Sequence, residues 1–263
     1  MHILVTNDDG VHAPGLLALT EAVRNIADKV TVLAPNRNWS ASGHVKTFHR
    51  PLRVTETELA DGTFAWTTDG APSDCVALAQ LGFIPEKIDM VVSGINPTAN
   101  IGHDVTYSGT VTAAMEAAIW GIPGVAVSLN KPEGLSGTID FSGAAEAAQR
   151  VVAWLSQQSD LPEEVILSVN VPYGPFTDLK GFSITRQGLR IYRDELVRRV
   201  DPVGRPYYWI GGEAPTGVNE PGTDYGALSA GLVSITPLQL DLTSQAMQSW
   251  LESRQFIAGL DES

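Results

Sequence analysis

A single cysteine, Cys75, stands in a chain of 263 residues. An internal disulfide and any zinc or iron–sulfur centre built on cysteines are therefore excluded. Basic residues are scarce as well: 17 Lys+Arg face 30 Asp+Glu, a formal charge of −13. Binding to a phosphate backbone draws on clustered cations and counterion release, so nucleic-acid polymers are poor partners for such a surface. No apolar run approaches the roughly 18 residues of a membrane span. The start, MHILVTNDD, turns acidic by residue 8, so neither a membrane anchor nor a signal peptide is expected and the cytoplasm is the default location. Familiar signatures are also missing. Gly10-Val-His-Ala-Pro-Gly15 lacks GxGxxG spacing, and neither GxxxxGK(S/T) nor GxSxG occurs. His2, His12, His44, His49 and His103 show no paired helical spacing of the metalloprotease kind.

What is present reads as a folded α/β chain. Hydrophobic residues make up 43% and charged residues 18%, and a chain this long buries roughly three-quarters of its unfolded surface. Residues 2–6 (HILVT) and 30–34 (VTVLA) are short apolar runs without polar alternation, as buried parallel strands are. Between them, Pro14 suits a first helical position, and Leu16, Leu19, Val23, Ile26 and Ala27 keep helical spacing. The pattern predicts strands at 64–68, 88–93, the VAVSL run and 165–171, with helices over 72–81, 109–120 and 140–158. FSITR, RPYYWIGG and GLVSITPL read as antiparallel strands, and 243–258 as a closing helix. The expectation is a doubly wound, mostly parallel, three-layer α/β/α core over residues 1–180. A β-rich extension and C-terminal helix over 181–263 belong to the same folding unit and reach toward a partner subunit.

Ligands of open α/β sheets bind beyond the carboxyl ends of the strands. Asp8 and Asp9 follow the first strand; side by side, each raises the other's pKa unless a cation sits near. The polar run Pro35–His44, with Ser40, follows the second. Asn96 follows MVVS, at the head of a 14-residue stretch, Gly94 to Tyr107, that is long for a structureless loop and so marks a functional one. Ser108 is a candidate N-cap, and the amides of Gly109 and Thr110 would form an anion site. Each feature alone is commonly just a turn, a polar loop or a capped helix. Together, two carboxylates, a hydroxyl and an amide oxygen suit a hard divalent ion, Mg²⁺, Mn²⁺ or Ca²⁺, beside helix amides, an arrangement fitted to phosphate esters.

The segments ILVTNDDGVHAPGL, PNRNWSASGH, GAPSDCV, SGINPTANIGHDVTYSGTVTAAMEA and GTD at 222–224 occur in the order found in the stationary-phase survival protein SurE family, which the chain resembles along its length. Thr98 stands where that family often has Gly, Asn36 where it has Asp, and Ala71 where it has Thr. The resemblance implies a Rossmann-like core, dimer or tetramer contacts through the extension, and hydrolysis of nucleoside 5′- and 3′-monophosphates. It also implies one divalent cation per subunit on Asp8, Asp9, Ser40 and Asn96, with substrate phosphate at Asn96, Ser108, Gly109 and Thr110. Asp8, Asp9, Asn96 and Ser108 are then the catalytic candidates. Two other readings of the residues stay open: Asp8 as a covalent nucleophile, although its neighbouring acid is adjacent and not spaced as DxD, and a non-catalytic nucleotide- or metal-binding sensor or scaffold.

Overall fold

The computed structural model describes residues 1–254. Strand β1 (His2–Thr6) is entirely buried, helix α1 (Pro14–Arg24) starts on proline, and β2 (Lys29–Pro35) pairs parallel with β1, His2 opposite Lys29. After an edge hairpin of β3 (Val54–Glu58) and β4 (Phe64–Thr68) come helix α2 (Pro72–Leu78) and strand β5 (Met90–Asn96). Strand β5 lies on the other side of β1, Thr6 opposite Ser93. Helix α3 (Gly109–Ile119), strand β6 (Gly124–Asn130), helix α4 (Ser142–Ser156) and strand β7 (Ile166–Pro172) extend the parallel sheet.

The C-terminal third closes the sheet. Strand β8 (Phe182–Ile184) is followed by a long hairpin of β9 (Arg190–Val200) and β10 (Pro206–Gly217), then α5 (Asp224–Ser229), β11 (Val233–Leu238) and α6 (Gln245–Ser253). The nine-stranded order is β3-β4-β2-β1-β5-β6-β7-β11-β8, and β9 with β10 forms a separate two-stranded sheet. Ile3, Val5, Leu16, Leu19, Val92, Val127 and Val152 fill the layer under α1 and α4, while Leu4, Leu33, Cys75, Val91, Ala113 and Ala117 fill the one under α2 and α3. The fold is thus three-layered and α/β, as expected. No helix among the described residues is long and apolar enough to cross a membrane.

Several expectations are corrected. Strand β3 (VTETE) carries too little apolar pattern to be read as a strand; it survives as an antiparallel edge, where charge blocks further pairing. FSITR, expected antiparallel, pairs parallel with β11, because the chain passes through the hairpin and α5 before β11 inserts between β8 and β7. Helix α2 ends at Leu78 and widens into a π turn over Ala79–Phe83. Strand β9 and helix α5 add to the elements expected from the sequence, and residues 255–258 of the expected closing helix lie outside the described residues.

Candidate active site

Chain order leaves β1 toward β2 on one side and toward β5 on the other, so the switch point of the sheet lies at the carboxyl end of β1. Asp8 and Asp9 occupy it. Asn7 closes their turn: its Nδ2 donates to the Gly10 carbonyl at 3.0 Å and its Oδ1 accepts from the Gly10 amide at 3.2 Å. Gly10 is at φ +105 with the Arg37 carbonyl beneath it, a place and a conformation that refuse a side chain. The loop after β2 lies across this turn, the Trp39 amide donating to the Asp8 carbonyl at 2.7 Å.

Asp8 is 3% exposed. Its Oδ1 accepts from the Thr110 hydroxyl, and the Gly109 and Thr110 amides also favour its charge. The sheet can come this close to α3 only at glycine: a Cβ on Gly109 would meet the Asp8 Cβ at 2.7 Å. The first turn of α3 is therefore directed at Asp8 itself, where the sequence suggested unpaired amides open to a ligand. Ser108 caps the helix, its Oγ accepting from the Val111 amide at 3.1 Å, which leaves the hydroxyl proton free to donate. Asp9 is only half-buried, with Asn38 Nδ2 at 3.3 Å from its Oδ1; Asn38 Oδ1 in turn accepts from the Ser40 amide at 2.7 Å. Asn96 stands at the end of β5 with Nδ2 donating to the Thr98 carbonyl at 2.5 Å, which leaves its Oδ1 free. It bonds neither acid; topology alone brings it to the same rim.

Burial pushes both carboxyls up. For Asp8 the Thr110 hydroxyl and the helix amides oppose that rise; for Asp9 the Asp8 charge adds to it, and the group reaches about 7. Two carboxylates strained toward protonation, a free amide oxygen and a serine hydroxyl form a donor set that fits a hard divalent ion. Among the described residues no three His, Cys, Asp or Glu side chains cluster as metal ligands; a cation here would draw on Ser40 and Asn96 as well as the acids. Burial also pushes the Cys75 thiol up, which suits a core residue and not a nucleophile.

Three acids that brace the site, Glu116, Asp74 and Asp224, lie within the motifs shared with the family, but their bracing role is not read from the sequence. Glu116, 1% exposed, receives His44 Nε2 at 3.0 Å, Lys46 Nζ at 2.7 Å and Trp120 Nε1 at 2.9 Å. Burial pushes its carboxyl up, but these donors outweigh burial and hold it at about 2. Asp74 accepts from the Thr47 amide and hydroxyl at 2.8 and 2.7 Å. Asp224 accepts from the amides of Gly102 at 2.7 Å, Gly188 at 2.8 Å and Tyr225 at 2.7 Å, fastening the 94–107 segment to the C-terminal third. A lone acid inside the apolar run TAAMEAAIW was the available signal for Glu116, since a charge there is retained only with partners. A cavity of about 860 Å³ borders α3 beside His44, Thr106 and Thr112 and excludes both aspartates of the rim.

A doubly wound sheet with paired acids at its switch point and a helix end turned upon them defines the class: an α/β protein whose ligand-binding rim lies at the carboxyl ends of its strands. Residues 3–194 match the family model described as Survival protein SurE. The chain is 53% identical to the 5′-nucleotidase SurE of Herpetosiphon aurantiacus, covering 93% of this chain and 94% of that one. It is 51% identical to the protein of the same name from Chloroflexus aggregans, covering 96% and 97%. The crystal structure of the SurE protein from Aquifex aeolicus superposes with a TM-score of 0.78 at 38% identity, over 97% of this chain and all of that one. The chain belongs to the SurE family.

Proposed function

We propose that this protein hydrolyses nucleoside 5′-monophosphates, and 3′-monophosphates, to nucleoside and orthophosphate, with one divalent cation (Mg²⁺, Mn²⁺ or Ca²⁺) per subunit. The observation that carries the reading is the pair Asp8 and Asp9 at the switch point with the first turn of α3 directed onto it. The names of the Herpetosiphon and Chloroflexus relatives support the same substrate class. Asp8, Asp9, Ser40 and Asn96 are the residues that would hold the cation. When bound, it supplies positive charge against the phosphate and lowers the pKa of a coordinated water.

The protein's own groups divide the remaining work. Asp8 is committed to Thr110 and so serves as a fixed negative charge; that commitment also argues against Asp8 as a covalent nucleophile. Asp9 reaches the solvent side and takes the proton of the attacking water. That water forms the new P–O bond as the ester P–O bond breaks; the leaving ribose oxygen takes a proton from solvent water, and Asp9 returns its own proton to solvent. Asn96 Nδ2 and the Ser108 hydroxyl donate to the phosphoryl oxygens as charge spreads over them.

The exposed apolar residues of the β9–β10 hairpin, Leu196, Trp209 and Ile210 among them, support assembly into a homodimer or homotetramer. A cytoplasmic location belongs to the same reading: Cys75 is buried and free, so the fold relies on no internal disulfide that a reducing compartment would open. Phosphate release from AMP, 3′-AMP and a sugar phosphate, with and without chelator, tests the proposal. Turnover on AMP that is restored by Mn²⁺ or Mg²⁺ supports it, and undiminished turnover in chelated protein overturns the cation's part in it.

A further inference from the structure

Ser40 lies on a loop, residues 36–50, that belongs neither to the sheet nor to α3, yet the proposed site needs it beside both. At its near end this loop is tied to the turn after β1 by Trp39 on the Asp8 carbonyl, and its far end is tied to α2 by Asp74 on Thr47 and by the Ser73 hydroxyl on the Val45 carbonyl at 2.9 Å. Between those ties the chain crosses α3. There the Gly43 amide donates to the Tyr107 carbonyl at 2.9 Å, and the Thr112 hydroxyl to the Gly43 carbonyl at 3.2 Å. The ion pairs that bind the loop to α3 meet at Glu116, two turns into that helix, which receives His44 and Lys46 from the loop and Trp120 from its own helix. Lys46 also lies 5.7 Å from the centre of the Trp120 ring. A buried carboxylate needs all of its donors to offset desolvation, so the loop's two side chains are held as firmly as the acid is buried.

We propose that Glu116 is a positioning residue: it latches the Ser40 loop onto the helix that begins at Ser108, so that the oxygen donors of the rim are assembled before a nucleotide arrives. The inference rests on the phosphatase reading and adds a residue that touches neither substrate nor cation. Removing the charge by Glu116→Gln leaves Asp8, Asp9, Ser40 and Asn96 unaltered, and the loop opens while the sheet stays closed.

Hydrogen exchange and Mn²⁺ titration of Glu116→Gln, both without substrate, test the latch. Exchange should quicken at the amides of residues 39–46 and stay unchanged in β1, β5 and β6, and Mn²⁺ affinity should fall roughly 10-fold, the range seen when a group supporting a metal ligand is lost. Saturating Mn²⁺ should then return most of the AMP turnover. A folded Glu116→Gln with parental exchange over 39–46 and parental Mn²⁺ affinity overturns the proposal, as does exchange that quickens evenly through the whole chain. If that variant does not fold, His44→Asn and Lys46→Met, each removing one arm, are read in the same way and with the same consequences. A parent protein that hydrolyses no monophosphate and binds no Mn²⁺ would count against the phosphatase reading alone, since the exchange measurement reports on the loop independently.

Discussion

Replacing Asp9 by Asn isolates the electrostatic tension at the rim. Burial and the Asp8 charge hold the Asp9 carboxyl at about 7 where 3.8 is usual. The folded value lies above the unfolded one, so stability that is fully present below pH 3.8 is lost as pH rises to about 7, and it stays lost above that. The gap between the two values is worth ~4 kcal/mol at full burial, and the partial exposure of Asp9 discounts it to roughly 2 kcal/mol. The new carboxamide keeps an oxygen that can accept from Asn38, as Asp9 Oδ1 does at 3.3 Å, so little hydrogen bonding is forfeited. In chelator at about pH 8.5, Asp9→Asn should therefore melt higher than the parent by roughly 5 °C, given 2–4 °C per kcal/mol for a chain near this size. The advantage should shrink toward nothing at about pH 3, where the parent's Asp9 is protonated in the fold and mostly protonated outside it. Mn²⁺ should stabilise the parent more than the variant, and AMP hydrolysis should fall steeply in the variant. Differential scanning calorimetry across pH provides the measurement; a variant that melts at or below the parent at pH 8.5 would refute the reasoning.

Gly109→Ala would place a methyl 2.7 Å from the Asp8 Cβ, a contact close to both backbones. It should cost ~1–3 kcal/mol of stability and, by displacing Asp8, lower AMP turnover about 100-fold, read by calorimetry and phosphate release. Ser108→Ala removes the cap on Val111 and should cost ~1 kcal/mol; a fall in kcat at temperatures where the variant is fully folded would show that its hydroxyl also serves substrate. Asp224→Ala strands three amides that now donate to one carboxylate. It should cost at least ~3 kcal/mol and quicken hydrogen exchange around Gly102 and Gly188; unchanged exchange there would remove Asp224 as the fastening.

The sheet's parallel half was legible because buried strands such as HILVT and MVVS carry their own pattern, and helices such as α1 begin with a proline and keep an apolar stripe. The rim was legible for a different reason: acidic and amide residues recur just after strand ends, where topology must gather them. What could not be read is what depends on partners far away in sequence. Glu116 looks like an isolated charge until His44 and Lys46 are brought beside it, and Asp224 has no meaning without Gly102, 122 residues earlier. VTETE became a strand only because β4 offers it an edge. The Thr110 hydroxyl, to which the sequence assigns no role, is turned onto Asp8, a pairing of residues 102 positions apart that no local pattern announces.

The insertion of β11 between β7 and β8 sets a timetable for biosynthesis. On a translating ribosome the first seven strands can assemble in chain order, but β7 (Ile166–Pro172) then presents a bare row of amides and carbonyls until Val233–Leu238 leaves the exit tunnel. Some sixty residues of hairpin and turn must be synthesised in that interval. The nascent protein thus passes through a stage with a nearly finished rim and an unguarded flank, when a trigger-type chaperone would have its greatest effect on yield.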